Sequence, residues 1–174
     1  MKKVLVVVDI QNDFVDGALG TAQAQAMVKN AAQKIEKFDG DIFVTYDTHF
    51  DDYMDTLEGE KLPVKHCIKG TNGWELNPEI AKALDGKNYT SVEKYTFGSV
   101  ELPRLIKEKI GNHVAEITLI GLCTDICVVS NALLLKANFL DCEIFVDSTC
   151  CAGVTPQTHN AALDTMRCCQ INIK

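Results

Sequence analysis

The chain has no apolar run long enough to span a bilayer, no block of lysine or arginine, no internal repeat and no low-complexity tract. The first absence excludes a membrane-spanning helix. The second, together with a formal net charge of −7, argues against nucleic acid and anionic membrane as partners, since either would have to bind against the overall field. Eight cysteines are present without a C-x-x-C pair, which places thiol redox chemistry last among the candidate functions. The adjacent pairs Cys150/Cys151 and Cys168/Cys169 also lack the C-x2-C spacing of a zinc site, and they read as small hydrophobes. An export signal is missing as well. MKKVLVVVDIQNDF carries two lysines and a short apolar run, but Asp9 interrupts the run and no small-residue cleavage site follows. The expected setting is therefore cytoplasmic, with reduced thiols.

What is present is an ordinary globular balance, 47% hydrophobic and 24% charged over 174 residues. Such a length buries about 70% of the unfolded surface around one core, and a single domain over residues 1–174 is expected. Val4 to Val8 is a continuous apolar strand covered on both faces. Helical spacing follows over Ala22 to Phe38 and stops at Asp39-Gly40. Asp41 to Tyr46 is the second strand. Phe50 to Asn77 reads as a long connection broken by Gly59, Pro63, Gly70 and Gly73, a length that is uncommon unless functional. A short helix at Pro78 to Leu84 leads to a strand at Tyr89 to Lys94 and a helix at Leu102 to Ile110. Strand four is Glu116 to Leu122, with a helix opening near Asp125 and ending around Ala137. Strand five is Cys142 to Asp147, the last helix is Pro156 to Met166, and Gln170 to Ile173 closes the chain. This alternation predicts an α/β three-layer fold: a six-stranded, mostly parallel sheet flanked by helices on both faces.

In open α/β sheets ligands collect outside the carboxyl ends of the strands. Here those ends carry Asp9, Asp47 with His49, Lys94, and Cys127 in the first turn of a helix. Each has an ordinary alternative, as a turn aspartate, a solvated lysine or a packed cysteine. Together they supply a base, a cation to orient it and a nucleophile. The helix dipole is expected to favour the Cys127 thiolate. Cys123, at the strand-to-helix turn, is suited to offer its backbone N–H, and with the N–H of Cys127 would form an oxyanion hole. Asp47 and His49 lie two apart on a strand-like stretch and share a face. His66 can join them if the loop folds back, giving a divalent-metal site with open positions. Asp55, Glu58 or Glu60 is left as a further ligand.

Taken in order, VVDIQNDF, YDTH, PVKHCIKGT, EKYTFGS and GLCTDICV resemble the isochorismatase-like cysteine hydrolases, and within them the nicotinamidase/pyrazinamidase group. These pieces run from end to end of the chain. The resemblance implies a catalytic triad of Asp9, Lys94 and Cys127, and a metal held by Asp47, His49, His66 and a third side chain. Glu58 is chosen for that position by approximate spacing, with Glu60 remaining. It implies zinc, with iron or manganese as alternatives, and a cis peptide before Cys123. Phe14 matches an aromatic that lines the substrate pocket, and Phe97 helps to close it. The chain departs from the family pattern before His66, where Pro63-Val64-Lys65 replaces the usual aromatic.

The activity so implied is hydrolysis of nicotinamide to nicotinate and ammonia through a Cys127 thioester, a step in pyridine nucleotide metabolism, with the metal orienting a small-molecule amide. The alternatives are the same triad acting on another small amide, such as a carbamoyl or ureido compound, and a non-catalytic metal- or ligand-binding member of the fold. A homo-oligomer is common in the family.

Overall fold

Val4 to Val8 offers no polar side chain to water, and all five residues are fully buried at the centre of the molecule. The computed structural model describes residues 2–111 and 114–174. In chain order it contains β1 (Lys2–Val8), α1 (Asn12–Val15), α2 (Ala22–Lys37), β2 (Asp41–Asp47), α3 (Leu57–Lys61), α4 (Pro78–Leu84), β3 (Tyr89–Lys94), α5 (Glu101–Ile110), β4 (Val114–Leu122), α6 (Val129–Asn138), β5 (Glu143–Ala152), α7 (Pro156–Cys168) and β6 (Asn172–Ile173). Among the described residues one six-stranded sheet forms, in the order β3-β2-β1-β4-β5-β6. Every neighbouring pair is parallel.

Successive residues of a strand face opposite sides, so the apolar strands feed two cores. Leu5, Val7, Ile42, Val44, Ile120 and Leu122 pack on one side with Met27, Ala31 and Ile35 of α2 and with Ile80 and Leu84 of α4. Val4, Val6, Val8, Phe43, Ile117 and Leu119 pack on the other with Ile106 of α5, Leu135 of α6, and Leu163 and Met166 of α7. Each such side chain contributes about 1.5–3 kcal/mol on burial. α2, α4 and α7 start at side-chain caps: Thr21 accepts from the N–H of Ala24, Asn77 from that of Glu79, and Thr155 and Thr158 form a capping box ahead of α7.

The strand order reverses between β1 and β4, the position where open α/β sheets leave a crevice. Gly121 lets the two strands close there. Its φ is 125°, and a β-carbon would run into the carbonyl of Val8. No helix among the described residues is long and apolar enough to cross a membrane.

Four expectations need correction. The connection Phe50 to Asn77 is not without structure: it holds a 3₁₀ turn, Tyr53–Asp55, followed by α3, both too short to show a period in the sequence. β5 continues to Ala152 instead of ending at Asp147, because its polar middle, Asp147-Ser148-Thr149, crosses an irregularity in the pairing with β4. The helix expected at Asp125 opens as a π-helical turn, Thr124–Val128, before α6. β6 is shortened to Asn172–Ile173, with Gln170 at φ 62°.

Candidate active site

Asp9 leaves β1 at φ 48°, in the left-handed region where aspartate is among the better tolerated residues. Its carboxylate is fully buried. Oδ1 accepts a hydrogen bond from the Thr45 hydroxyl on β2 at 2.6 Å. Oδ2 lies 2.7 Å from Lys94 Nζ, yet no donor meets it in hydrogen-bonding geometry. A lone pair is therefore left for a further proton. The Lys94 ammonium, at the end of β3, donates to Asp47 Oδ1 at 2.9 Å and to the Thr96 carbonyl at 3.1 Å, and reaches Cys127 Sγ at 3.5 Å. β2 and β3 pair Asp47 with Lys94 directly. Lys94 thus reaches Asp9, Asp47 and Cys127 at once.

Burial sets the protonation states. Burial and the charge of the Asp9 carboxylate push Cys127 well above the usual thiol value, and Lys94 offsets only part of this. The pull of the helix end toward the thiolate is thereby opposed. A cysteine 4% exposed beside a carboxylate keeps its proton, whatever the helix end contributes. Burial and the Asp47 charge likewise raise the Asp9 carboxyl, against the lowering pull of Lys94. Desolvation works against the Lys94 charge, but the Asp9 and Asp47 carboxylates outweigh it and hold the ammonium protonated.

The second cluster lies on the far side of Lys94. Asp47 Oδ2 is 3.0 Å from His49 Nε2 and 3.5 Å from His66 Nε2. The three ligand atoms all lie within 4.8 Å of one another, and all three residues are buried. Burial raises the Asp47 carboxyl, but hydrogen bonds from His49 and His66 and the charge of Lys94 outweigh it and hold Asp47 well below the usual carboxylate range. His66 Nδ1 faces the Val64 carbonyl at 2.8 Å; with Nδ1 donating there, a neutral ring would offer Nε2 to a cation in place of its hydrogen bond to Asp47. Two imidazole nitrogens and a carboxylate oxygen in a buried pocket fit a divalent cation. The fold brings His66 here by pairing its neighbours with His49: the His49 N–H donates to the Cys67 carbonyl, and the Lys69 N–H to that of His49. Of the three acidic candidates for a further ligand, Glu58 lines the pocket and its Oε1 lies 3.8 Å from His49 Nε2. Asp55 and Glu60 are exposed.

Residues that motif reasoning passed over hold these groups in place. The Gln11 side chain is fully buried; it donates to the carbonyls of Asp47 and Trp74 and accepts from the Asp47 N–H. Asp13 accepts from the Cys67 N–H at 2.8 Å, one residue past His66. Tyr53 sets its ring edge-on to His49 and His66, at 4.8 and 5.1 Å, and its hydroxyl donates to the Leu62 carbonyl. The only signal for Gln11 and Asp13 was their place within QNDF. Nothing local marked Tyr53.

A cavity of about 210 Å³ opens onto these groups. Phe14, Leu62, Phe97, Leu122, Ile126 and Val154 make it largely apolar, with Cys127 and Cys123 on one wall and Asp47, Glu58 and His66 on another. Phe14, buried 5.5 Å from the His66 ring, and Phe97, half-exposed, both line this cavity. Leu122–Cys123 is a cis peptide, and the π turn that follows presents Cys127 to the cavity.

The family model of the Isochorismatase domain matches residues 3–173. The chain belongs to the isochorismatase family. Among its relatives is the nicotinamidase/pyrazinamidase of Mycobacterium tuberculosis, 27% identical over 98% of this chain and 97% of that protein. The crystal structure of a nicotinamidase from Bacillus subtilis superposes with a TM-score of 0.82 at 27% identity, covering 99% of both chains. The N-carbamoylsarcosine amidase of Thermoplasma acidophilum superposes with a TM-score of 0.78 at 26% identity, covering 100% of this chain and 96% of that one. Within the isochorismatase family the chain thus resembles the nicotinamidase/pyrazinamidase group, with a carbamoyl amidase as a further structural neighbour.

Proposed function

We propose that the protein hydrolyses an uncharged aromatic carboxamide, nicotinamide first among them, to the carboxylic acid and ammonia through a thioester on Cys127. The observation that carries this reading is the contact of Asp9, Lys94 and Cys127 beside one apolar cavity. The Asp9 carboxylate takes the thiol proton as the sulfur attacks the amide carbon. The backbone N–H groups of Cys123 and Cys127 hold the developing oxyanion. Asp9 returns the proton to the departing ammonia, and water, deprotonated by the same carboxylate, hydrolyses the thioester and frees the thiol. Lys94 remains charged throughout and fixes the carboxylate. Asp47, His49 and His66, with Glu58 beside them, would hold a divalent cation, zinc first with iron or manganese as alternatives. When bound, such an ion supplies a Lewis-acid point at which a pyridine nitrogen is oriented, directly or through water.

The carbamoyl alternative has the Thermoplasma neighbour in its favour. The cavity argues against it, because a carbamoyl amino acid brings a carboxylate. The side chains lining the cavity include Asp47 and Glu58 but no lysine or arginine. The test is metal analysis of the purified protein together with ammonia release from nicotinamide, pyrazinamide and N-carbamoyl amino acids, with and without chelator. The reading expects turnover of the two ring amides that is lost with the metal, and none in Cys127→Ala. Preference for a carbamoyl acid, or turnover retained by Cys127→Ala, would overturn it.

A further inference from the structure

Asn131 lies on α6, one turn past the nucleophile, and its side chain is fully buried. It touches neither the cavity nor the acidic cluster, but every bond it makes ends at the site. Nδ2 donates to the carbonyl of Cys127 at 2.8 Å and to that of Phe97 at 3.2 Å, and Oδ1 accepts from the Ser99 N–H at 2.9 Å. One amide thus joins the π turn that carries Cys127 to the segment that follows Lys94. That segment begins under the lysine, whose ammonium donates to Thr96. It then supplies Phe97 to the cavity wall and ends where the Ser99 hydroxyl accepts from the N–H of Leu102 in α5. It sits hard on α6, since a β-carbon on Gly98 would press on Leu134 and Ser130.

From these contacts we infer that Asn131 is a positioning residue that sets the distance from Cys127 to Lys94 and to the Phe97 wall. The inference rests on Cys127 being the nucleophile. An amide is the one side chain of this size that can donate to two carbonyls and accept from an N–H at once. Alanine leaves those groups without a partner and frees the turn and the wall to drift apart. Displacements of about 1 Å at a reacting atom cost up to about 100-fold in rate. Aspartate keeps the shape and the acceptor for Ser99, but when ionised it sets an oxygen against two carbonyl oxygens. Protonation restores one of the two donors.

The test compares Asn131→Ala and Asn131→Asp with wild type. One readout is amide turnover. The other is the rate at which iodoacetamide alkylates Cys127, followed by peptide mass spectrometry with the exposed Cys168 and Cys169 as internal references. Rates are normalised to the folded fraction from thermal unfolding. The expected result for Asn131→Ala is a kcat lower by about 10- to 100-fold, a raised KM, and slower alkylation of Cys127 with Cys168 and Cys169 unchanged. For Asn131→Asp the alkylation rate relative to wild type should recover as the pH is lowered. Wild-type kinetic constants with an unchanged or faster Cys127 alkylation in Asn131→Ala, or no pH-dependent recovery in Asn131→Asp, would overturn the inference. The alkylation readout needs no substrate, so a wild-type protein inactive on every amide would defeat the proposed function and still leave the role of Asn131 to be decided.

Discussion

Replacing Asp9, the proposed base, with asparagine removes its carboxylate from the site while preserving its volume. The amide oxygen can still accept from Thr45, but an NH₂ group then stands where Oδ2 lies 2.7 Å from the Lys94 ammonium. The thiol loses its proton acceptor. A positioned general base is worth about 10²–10⁴ in rate, or about 2.7–5.4 kcal/mol at about 1.36 kcal/mol per tenfold. The pH profile should change in shape as well as height. In the wild type Asp9 must be ionised, and burial raises its carboxyl above 3.8, so turnover falls on the acid side through a value above that of an ordinary carboxylate. The resting thiol lies well above 9.0, so no second change should appear near neutrality. In Asp9→Asn the charge that raised the thiol is gone, while Lys94 remains 3.5 Å from the sulfur. Thiolate then forms more readily, and residual turnover should climb with pH. Ammonia release from nicotinamide, measured from about pH 5 to about pH 10, reads both effects. A variant within about tenfold of wild type, or one that keeps the wild-type profile, refutes the assignment of Asp9 as base.

Other perturbations reach the supporting structure. Gln11→Ala leaves the buried backbone of Asp47 without its clamp, so stability should drop by about 1–3 kcal/mol and metal affinity by about 10- to 100-fold, by denaturant titration and metal competition. Lys94→Met leaves the buried Asp9 and Asp47 carboxylates without their shared cation, and a loss of about 3–5 kcal/mol is expected on thermal or urea unfolding. Thr155→Ala removes the capping box of α7, at about 1 kcal/mol or about 2–4 °C in Tm, with kcat/KM unchanged. Asp147 is pulled below its ordinary 3.8 by the Thr149 hydroxyl and the Lys34 ammonium, which outweigh its burial. The unfolded chain therefore takes up that proton first on acidification. The resulting stabilisation is present above 3.8 and is lost as the pH falls through the folded-state value, so the stability gap between wild type and Asp147→Asn should narrow below about pH 4.

The strand cores were legible because β1 and β4 are apolar on both faces, and the parallel sheet and its site-bearing edge follow from the β-α alternation. Asp9, Lys94 and Cys127 were legible because each ends or follows a strand, and the topology brings those ends together. The burial of that edge was not legible, since it depends on the packing of both cores and on the loop from Phe50 to Asn77. That burial opposes the pull of the helix end on the Cys127 thiol. Gln11 and Asn131 escaped attention for a related reason. Their partners are backbone groups 32 to 63 residues away, apart from the local bond of Asn131 to Cys127, and no periodicity or spacing encodes such contacts.

The central claim is a covalent bond between Cys127 and the acyl group of an amide. Acid-quenching the enzyme during nicotinamide turnover and mapping its peptides by mass spectrometry tests this directly. The account predicts a pyridine-carbonyl adduct on Cys127, on none of the other seven cysteines, and absent from Cys127→Ala. An adduct on another residue, or turnover that continues in Cys127→Ala, would contradict it.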